Sequence, residues 1–379
     1  MSLEIIIGAD VVPTASNIEA FQKNTGLLFG GLNEIWQAAD ARIINLESPL
    51  TDGAESMQKC GPSLSAPLAC AEGIAQLNPT GVCICNNHIM DYGEEGLRST
   101  KAALKQRHIA SFGAGEDLDE ADQPFYFVKH GVRIGVYAVC EHEFSFATER
   151  RAGANPIDLI NFSDRLREIR SSCDRLIVLY HGGREGYAYP SPDVQRICRK
   201  AADCGASLVI CQHSHIVGSS ERWNNATIVY GQGNFIFDAE DATEGFDTGL
   251  LVRYTIGDYG ADLVDFIPIT RAPGGAALAQ GEKAAEILEG FERRSKRIRI
   301  EGFVPARYET YAVEQTDKLF HVFLSGNAML KGLNVLTGRR PTRMYAKQSK
   351  TNILNTLRCE SIRELMIRGL VREVSPLER

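Results

Sequence analysis

The chain has only two tryptophans in 379 residues, with aromatics at 8%, and its basic C-terminal segment lacks the interleaved aromatics of a single-strand nucleic-acid binder. No run approaches the roughly 20 apolar residues of a membrane span. The opening MSLEIIIGADVV has no basic stretch and no small-residue cleavage site behind an apolar run, so neither export by that route nor a membrane span is expected, and the chain reads as cytoplasmic. No C-x-x-C occurs among the ten cysteines. They are too sparse for a disulfide scaffold, and the paired spacings of a structural zinc site are missing. Cys83, Cys140 and Cys211 lie in apolar runs, where a thiol behaves as a small hydrophobe, and a reducing compartment is the simpler reading. P-loop, dinucleotide fingerprint and G-x-S-x-G nucleophile elbow are all absent.

What is present is ordinary for a globular enzyme: 44% hydrophobic and 23% charged residues, in a length that suits two domains or one domain with an appendage. The net charge of −7 is uneven. Residues 290–379 carry 18 Lys+Arg against 9 Asp+Glu, while the rest of the chain carries 23 against 39. Two modules are expected, 1–280 and a basic, mainly helical extension over 281–379. Its basic residues are interleaved with Leu, Phe and Ile at core-like spacing, which favours docking on the acidic body over contact with an anionic polymer. Glu282–Arg297, Lys318–Asn327 and Ser349–Leu370 read as helices, with a loop at Leu336–Pro341.

The first 280 residues alternate apolar runs with helix-like stretches such as Gly96–Arg107, Phe162–Ser172 and Pro192–Cys204. The apolar runs are Leu3–Ile7, Ala41–Leu46, Gly81–Cys85, Val132–Cys140, Arg175–Tyr180, Ser207–Cys211 and Thr227–Tyr230. They are continuous, not alternating, as in strands buried on both faces. In such α/β sheets function collects in the loops beyond the strand C-termini. Nearly every such loop here carries Asp, Glu, Asn or His, and that recurrence is the strongest signal in the chain.

Three of the eight histidines, His181, His213 and His215, follow strands within 35 residues of one another. On loops they can converge on one or two cations, for which neutral imidazole is a common ligand. Asp10, Glu47, Asn87 and His88 supply company. A carboxylate at the inner end of a strand is costly unless paired or metal-bound, and Glu47 could bridge two cations. Asn87 offers a neutral oxygen. Two metals roughly 3.5–4 Å apart, sharing a carboxylate, activate water at neutral pH and clamp the oxygens of an in-line displacement.

In order along the chain stand Asp10, Asn45-Leu46-Glu47, Asn87-His88 with Asp91-Tyr92-Gly93, His181-Gly182-Gly183 with Glu185, His213-Ser214-His215, and Gly233-Asn234-Phe235 with Asp238. Taken together, this set resembles the bacterial CapA family of capsule and poly-gamma-glutamate synthesis, within the calcineurin-like metallophosphatase superfamily, over roughly residues 3–255. The resemblance implies an α/β fold, a metallophosphatase-like α/β/β/α two-sheet sandwich with metals at the strand C-termini. It implies that Asp10 and His215 hold one divalent metal, that Asn87, His181 and His213 hold the other, and that Glu47 bridges them. Mn, Fe and Zn all suit such a site, which could hold one ion or two. By the same resemblance His88 approaches the substrate and protonates the leaving group, and Asp91 orients it.

The pattern has departures. Val12 stands where the superfamily has the histidine of D-x-H, which leaves the first metal one protein ligand short. Gly182 stands where relatives often carry an aromatic. Glu141, His142 and Glu143 follow a strong strand and could line the substrate pocket or supply the missing ligand. Arg184 could grip a phosphate or carboxylate, with Glu185 beside it, and Asn234 could order the adjoining loop. The favoured reading is a phosphoesterase-like, metal-dependent hydrolase. Its substrate would be an anionic polymer or a phosphoester, and its partners proteins of capsule synthesis. The alternative is a non-catalytic module on the same scaffold that binds the polymer or a biosynthetic partner. Nucleic acid is disfavoured as a partner, because phosphate contact needs a positive surface and the body is acidic.

Overall fold

Runs of Ile, Val and Leu too short for helices and too apolar for surface strands must be covered on both sides, and the chain covers them. The computed structural model describes residues 2–59, 61–239, 244–257, 262–324, 332, 336–337 and 347–374. Its strands, in chain order, are β1 (Leu3–Val11), β2 (Ala41–Leu46), β3 (Gly81–Cys83), β4 (Ser111–Phe112), β5 (Ala114–Gly115), β6 (Phe125–Lys129), β7 (Val132–Cys140), β8 (Gly153–Ala154), β9 (Arg175–His181), β10 (Leu208–Gln212), β11 (Ser220–Trp223), β12 (Ala226–Val229), β13 (Asn234–Ile236), β14 (Thr248–Ile256), β15 (Leu263–Ala272) and β16 (Gly275–Leu278).

One sheet runs β16-β15-β14-β1-β2-β3-β4, with β13 also paired to β1. Strands β1 to β4 are parallel, and β14 to β16 continue the sheet antiparallel. The other runs β11-β12-β10-β9-β7-β6, with a parallel centre and antiparallel edges. β5 and β8 form a small separate pair.

Side chains of a strand alternate between faces, and β9 shows what each face meets. Ile177 and Leu179 pack into the large core shared with β1 and β2. Leu176, Val178 and Tyr180 pack instead with Leu166 and Ile169 of the helix Phe162–Ser171 and with Val194, Cys198 and Ala201 of the helix Pro192–Asp203. The latter helix starts where Ser191 accepts from Val194 N at 3.1 Å with Pro192 next in the chain, a cap and first-turn pairing suited to a sharp start. Phe21, Trp36, Ile74, Leu97 and Leu104 join the large core from helices on the side of the first sheet. The layering is helix, sheet, sheet, helix, as the motif resemblance implied.

The helix Gly281–Ile298, which charge and texture assigned to the extension, is built into this sandwich. Phe291 packs edge-on to Phe266 of β15, Ser295 Oγ accepts from Ser220 N at 2.8 Å, and Arg294 donates to Gly218 O and Val217 O. The first compact unit accordingly runs to Val304 and the second from Pro305 onward. Beyond it lie the rest of the helix Phe303–Leu324 and the helices Lys347–Arg358 and Glu360–Val374. Of the loop expected at Leu336–Pro341 only 336–337 fall within the described residues, and the end of the helix expected to reach Asn327 lies outside them.

Candidate metal centre

Parallel strands deliver their C-terminal ends to one rim, and both sheets do so here. β1 runs past Ile7 to Asp10, whose Cα is in register with Asn45 of β2 and Asn234 of β13. Glu47 follows β2 and gives its N–H to Val11 O at 3.0 Å. On the other sheet His181 ends β9 in register with Gln212 and Cys140. His181 continues the Ile177–Leu179 row, so the alternation that packs the core also turns this imidazole inward between the sheets. After β10 the backbone twists sharply: His213 and His215 take φ of 89° and 56°. Left-handed backbone at a non-glycine residue costs roughly 1–3 kcal/mol and gathers at functional sites.

The convergence is close. His181 Nε2 lies 3.0 Å from Asn87 Oδ1 and 3.1 Å from Glu47 Oε1. His215 Nδ1 lies 3.6 Å from Asp10 Oδ2, 3.9 Å from Glu47 Oε2 and 3.0 Å from Asn234 Oδ1. Asp10 is held by Asn45 Nδ2 at 2.8 Å, and Asn45 in turn accepts from Asn86 Nδ2 at 3.1 Å. Asp10 and Glu47 are wholly buried. Neither oxygen of Glu47 has a hydrogen-bond partner, despite the short approach of His181, and His213 Nδ1 has none either.

Burial drives the protonation of this cluster. It pushes Glu47 up to about 8, helped by the charge of Asp10. It pulls His181 down to about 4, and lowers His213, which His181 and His215 lower further. Burial also works against protonation of His215, but Glu47 and Asp10 outweigh it and raise that residue.

His88 stands on a separate brace. Its Nδ1 lies 2.6 Å from Asp91 Oδ2, the geometry of an N–H donating to a carboxylate. Asp91 also accepts from Leu64 N at 2.6 Å and pairs with the ammonium of Lys59, whose Nζ is 3.2 Å from His88 Nδ1. Lys59 is 4% exposed in its side chain and was missed by sequence reasoning. A lone lysine in a polar loop carries no pattern; only the contacts of Met57, Lys59 and Leu64 with Asp91 show it.

The remaining predicted residues divide. Asn234 joins the cluster through His215. Glu143 stands at the mouth, its carboxylate 3.3 Å from Asn87 Nδ2 and 3.6 Å from His213 Nε2. Glu185 is also at the mouth, 4.0 Å from His213 Nε2. Arg184 is exposed beside them, and its charge contributes to the lowering of His213. Glu141 instead braces the loop from behind, accepting from Tyr180 OH at 2.9 Å and Gly183 N at 3.0 Å. A Cβ on Gly182 would sit 2.6 Å from Glu141 Cγ, so Glu141 fills the space a side chain at 182 would need. His142 is not brought to the cluster: it turns outward, edge-on to Phe146, and lines a different groove.

Three overlapping groups could each hold a cation, their ligand atoms lying within 4.8 Å of one another: Glu47, His181 and His213; Asp10, Glu47 and His215; and Glu185, His213 and His215. The donors suit a divalent ion. Two imidazoles are kept neutral by burial, and a buried carboxylate is left without hydrogen-bond donors.

The layered sheets and the carboxylate–imidazole rim define the class, a metallophosphatase-like α/β/β/α sandwich. Within it, residues 5–239 match the family described as bacterial capsule synthesis protein PGA_cap, and the chain belongs to that family. It is similar to the capsule biosynthesis protein CapA of Bacillus anthracis, 27% identical over 239 residues, covering 61% of this chain and 58% of that one. It is also similar to the PGA biosynthesis protein CapA of Bacillus subtilis (strain 168), 27% identical over 252 residues, covering 65% and 66%. The match thus spans about three fifths of the length of these curated relatives. Among solved structures, a phosphatase of Mycoplasma pneumoniae aligns with a TM-score of 0.46 and 13% identity, covering 71% of this chain and 94% of that one. A 5'-nucleotidase precursor of Thermus thermophilus aligns with a TM-score of 0.41 and 14% identity, covering 77% and 59%.

Proposed function

We propose that the chain is a divalent-cation-dependent hydrolase, phosphoesterase-like in chemistry, that serves bacterial capsule or poly-gamma-glutamate synthesis. The observation that carries this reading is Glu47: a wholly buried carboxylate, both oxygens without hydrogen-bond partners, ringed by Asp10, His181 and His215. Left alone such a group is expensive, and a cation removes the expense. Asp10 and His215 would hold one ion, Asn87, His181 and His213 a second, with Glu47 between them. Bound there, divalent cations supply Lewis acidity toward a phosphoryl or carbonyl oxygen and make water a nucleophile near neutral pH.

The chain's own groups do the rest. Asp91, neutralised by Lys59, fixes the His88 ring through Nδ1 and leaves Nε2 free to give a proton to the leaving oxygen. Arg184, exposed at the mouth, meets an anionic substrate by charge and a paired hydrogen bond. Glu141 holds the loop that presents it, through Gly183 N. The names of the relatives point to a polyanionic substrate or to the machinery that handles one, which an acidic body could approach only through bound cations and Arg184.

Turnover of an aryl phosphodiester by Mn2+-loaded protein tests the reading. We expect His88→Ala and His181→Ala to lose at least a hundredfold. His108→Asn should keep the wild-type rate, since asparagine tolerates the left-handed backbone (φ 58°) at that distant turn. A second reading is favoured by Val12, which deprives one side of the centre of a ligand. On that reading, cations bind but neither phosphoesters nor gamma-glutamyl peptides turn over, and the chain is a binding module.

A further inference from the structure

The two sides of the centre are unequally furnished. On one, Glu47, His181 and His213 gather with Asn87 Oδ1. On the other, Asp10, Glu47 and His215 gather with Asn234 Oδ1, but with a single imidazole where the first side has two. Val12 has no ligand atom to offer. It is buried and spends its N–H on Ile236 O at 2.8 Å.

The loop after β9 passes over that side. Gly183 and Gly186, at φ of 101° and 69°, turn it back. Gly186 N then donates to Ser214 O at 2.9 Å, tying the loop to the turn between His213 and His215. Glu185, next to that tie, has its carboxylate placed with the ligand atoms of His213 and His215, all within 4.8 Å. Ligands that each approach a cation to about 2.1 Å lie up to about 4 Å apart, so a modest closure of this half-exposed side chain completes the set. The unpartnered, fully buried Glu47 oxygens point independently to a cation beneath it.

We propose that Glu185 is a cation ligand, supplying from the loop after β9 the donor that Val12 lacks and closing the His215 side of the centre. The inference rests on the cation-centre reading above and adds an asymmetry to it. One ion is held among buried donors, and the other partly by an exposed carboxylate, so the second binds more weakly and exchanges faster.

Calorimetric titration of Mn2+ into the chelator-stripped full-length chain, with elemental analysis after desalting, tests it. Wild type should take two ions, one tight and one weak. Glu185→Ala should weaken the weak site by roughly tenfold or more and leave the tight one within about twofold. His108→Asn, at a distant turn, should change neither. Because residue 185 is exposed, melting in chelator should be the same for all three proteins. Unchanged affinities in Glu185→Ala overturn the proposal, and so does an equal loss at both sites, which a ligand confined to one side cannot cause. A wild type that binds no Mn2+ removes the cation centre itself and this ligand with it.

Discussion

Glu47 concentrates the electrostatic stress of the molecule in one side chain, and its titration should be visible in stability. Its ordinary value is near 4.5, and burial followed by Asp10 raises it to about 8 in the folded, cation-free protein. The folded state then holds a proton that the unfolded state has released. The stability this contributes is complete below about 4.5 and is lost as pH rises through about 8. His181, lowered to about 4 from 6.5, has the opposite sign: its contribution is complete above 6.5 and is lost as pH falls through about 4. Between pH 6.5 and 8 the decline therefore belongs to Glu47, joined by His215, which Glu47 helps to raise. Chelator-stripped protein should melt at progressively lower temperature across that window, and Mn2+ should restore it. Glu47→Gln should flatten the profile and bind less Mn2+. A stripped wild type with a level or rising melting temperature from pH 6.5 to 8 would contradict the assignment.

Among the elements, β9 links core to chemistry. Leu179 lies between the sheets two residues before His181 on the same face. Leu179→Ala should cost about 2–5 kcal/mol in urea unfolding, and it should also weaken Mn2+ binding by loosening the strand end that aims His181. A full loss of stability with unchanged Mn2+ affinity would show that the rim is held independently of the core beneath it. The elements of this kind were legible in the sequence because strands covered on both faces read as unbroken apolar runs. The expected Ala41–Leu46 and Val132–Cys140 coincide with β2 and β7, and Glu47, His213 and His215, each just past such a run, lie in one cluster. What was not legible has physical causes. β15 buries only its centre, Ile267–Ile269, between ends of exposed and half-buried residues, and β4, β5 and β8 have two residues each, too few for any period. Glu141 and His142 are adjacent in sequence to Glu143, yet only Glu143 reaches the cluster; where a chain leaves its strand is settled by packing around Gly182 and Phe146, which no spacing records.

At the scale of the whole molecule, the place where one compact unit ends bears on what the basic C-terminal segment does. Composition changes near residue 280, but the helix Gly281–Ile298 carries Ile287, Phe291, Ser295 and Ile298 to buried positions, and its contacts reach β11, β15 and the loop before β11. Most of its charged residues face solvent, because an amphipathic helix keeps one stripe for the core, while Arg294 turns in to Gly218 O and Val217 O; the helix itself is nearly balanced, with five Lys and Arg against four Glu, so the basic excess lies chiefly beyond it. A chain cut after Val304 should therefore keep the melting temperature and Mn2+ affinity of the full chain, within about 3 °C and twofold. Cutting after Gln280 should strip the cover from Phe266 and leave Ser220 N without its acceptor, lowering stability by several kcal/mol or driving aggregation. Circular dichroism melts and Mn2+ titration of the two truncations check this. If both behave alike, the helix after residue 280 is an appendage, and the centre depends on the sandwich without it. If the cut after Val304 alone abolishes turnover while sparing cation binding, the segment from Pro305 onward acts on the substrate, and the basic charge it carries becomes part of how a polyanion is held.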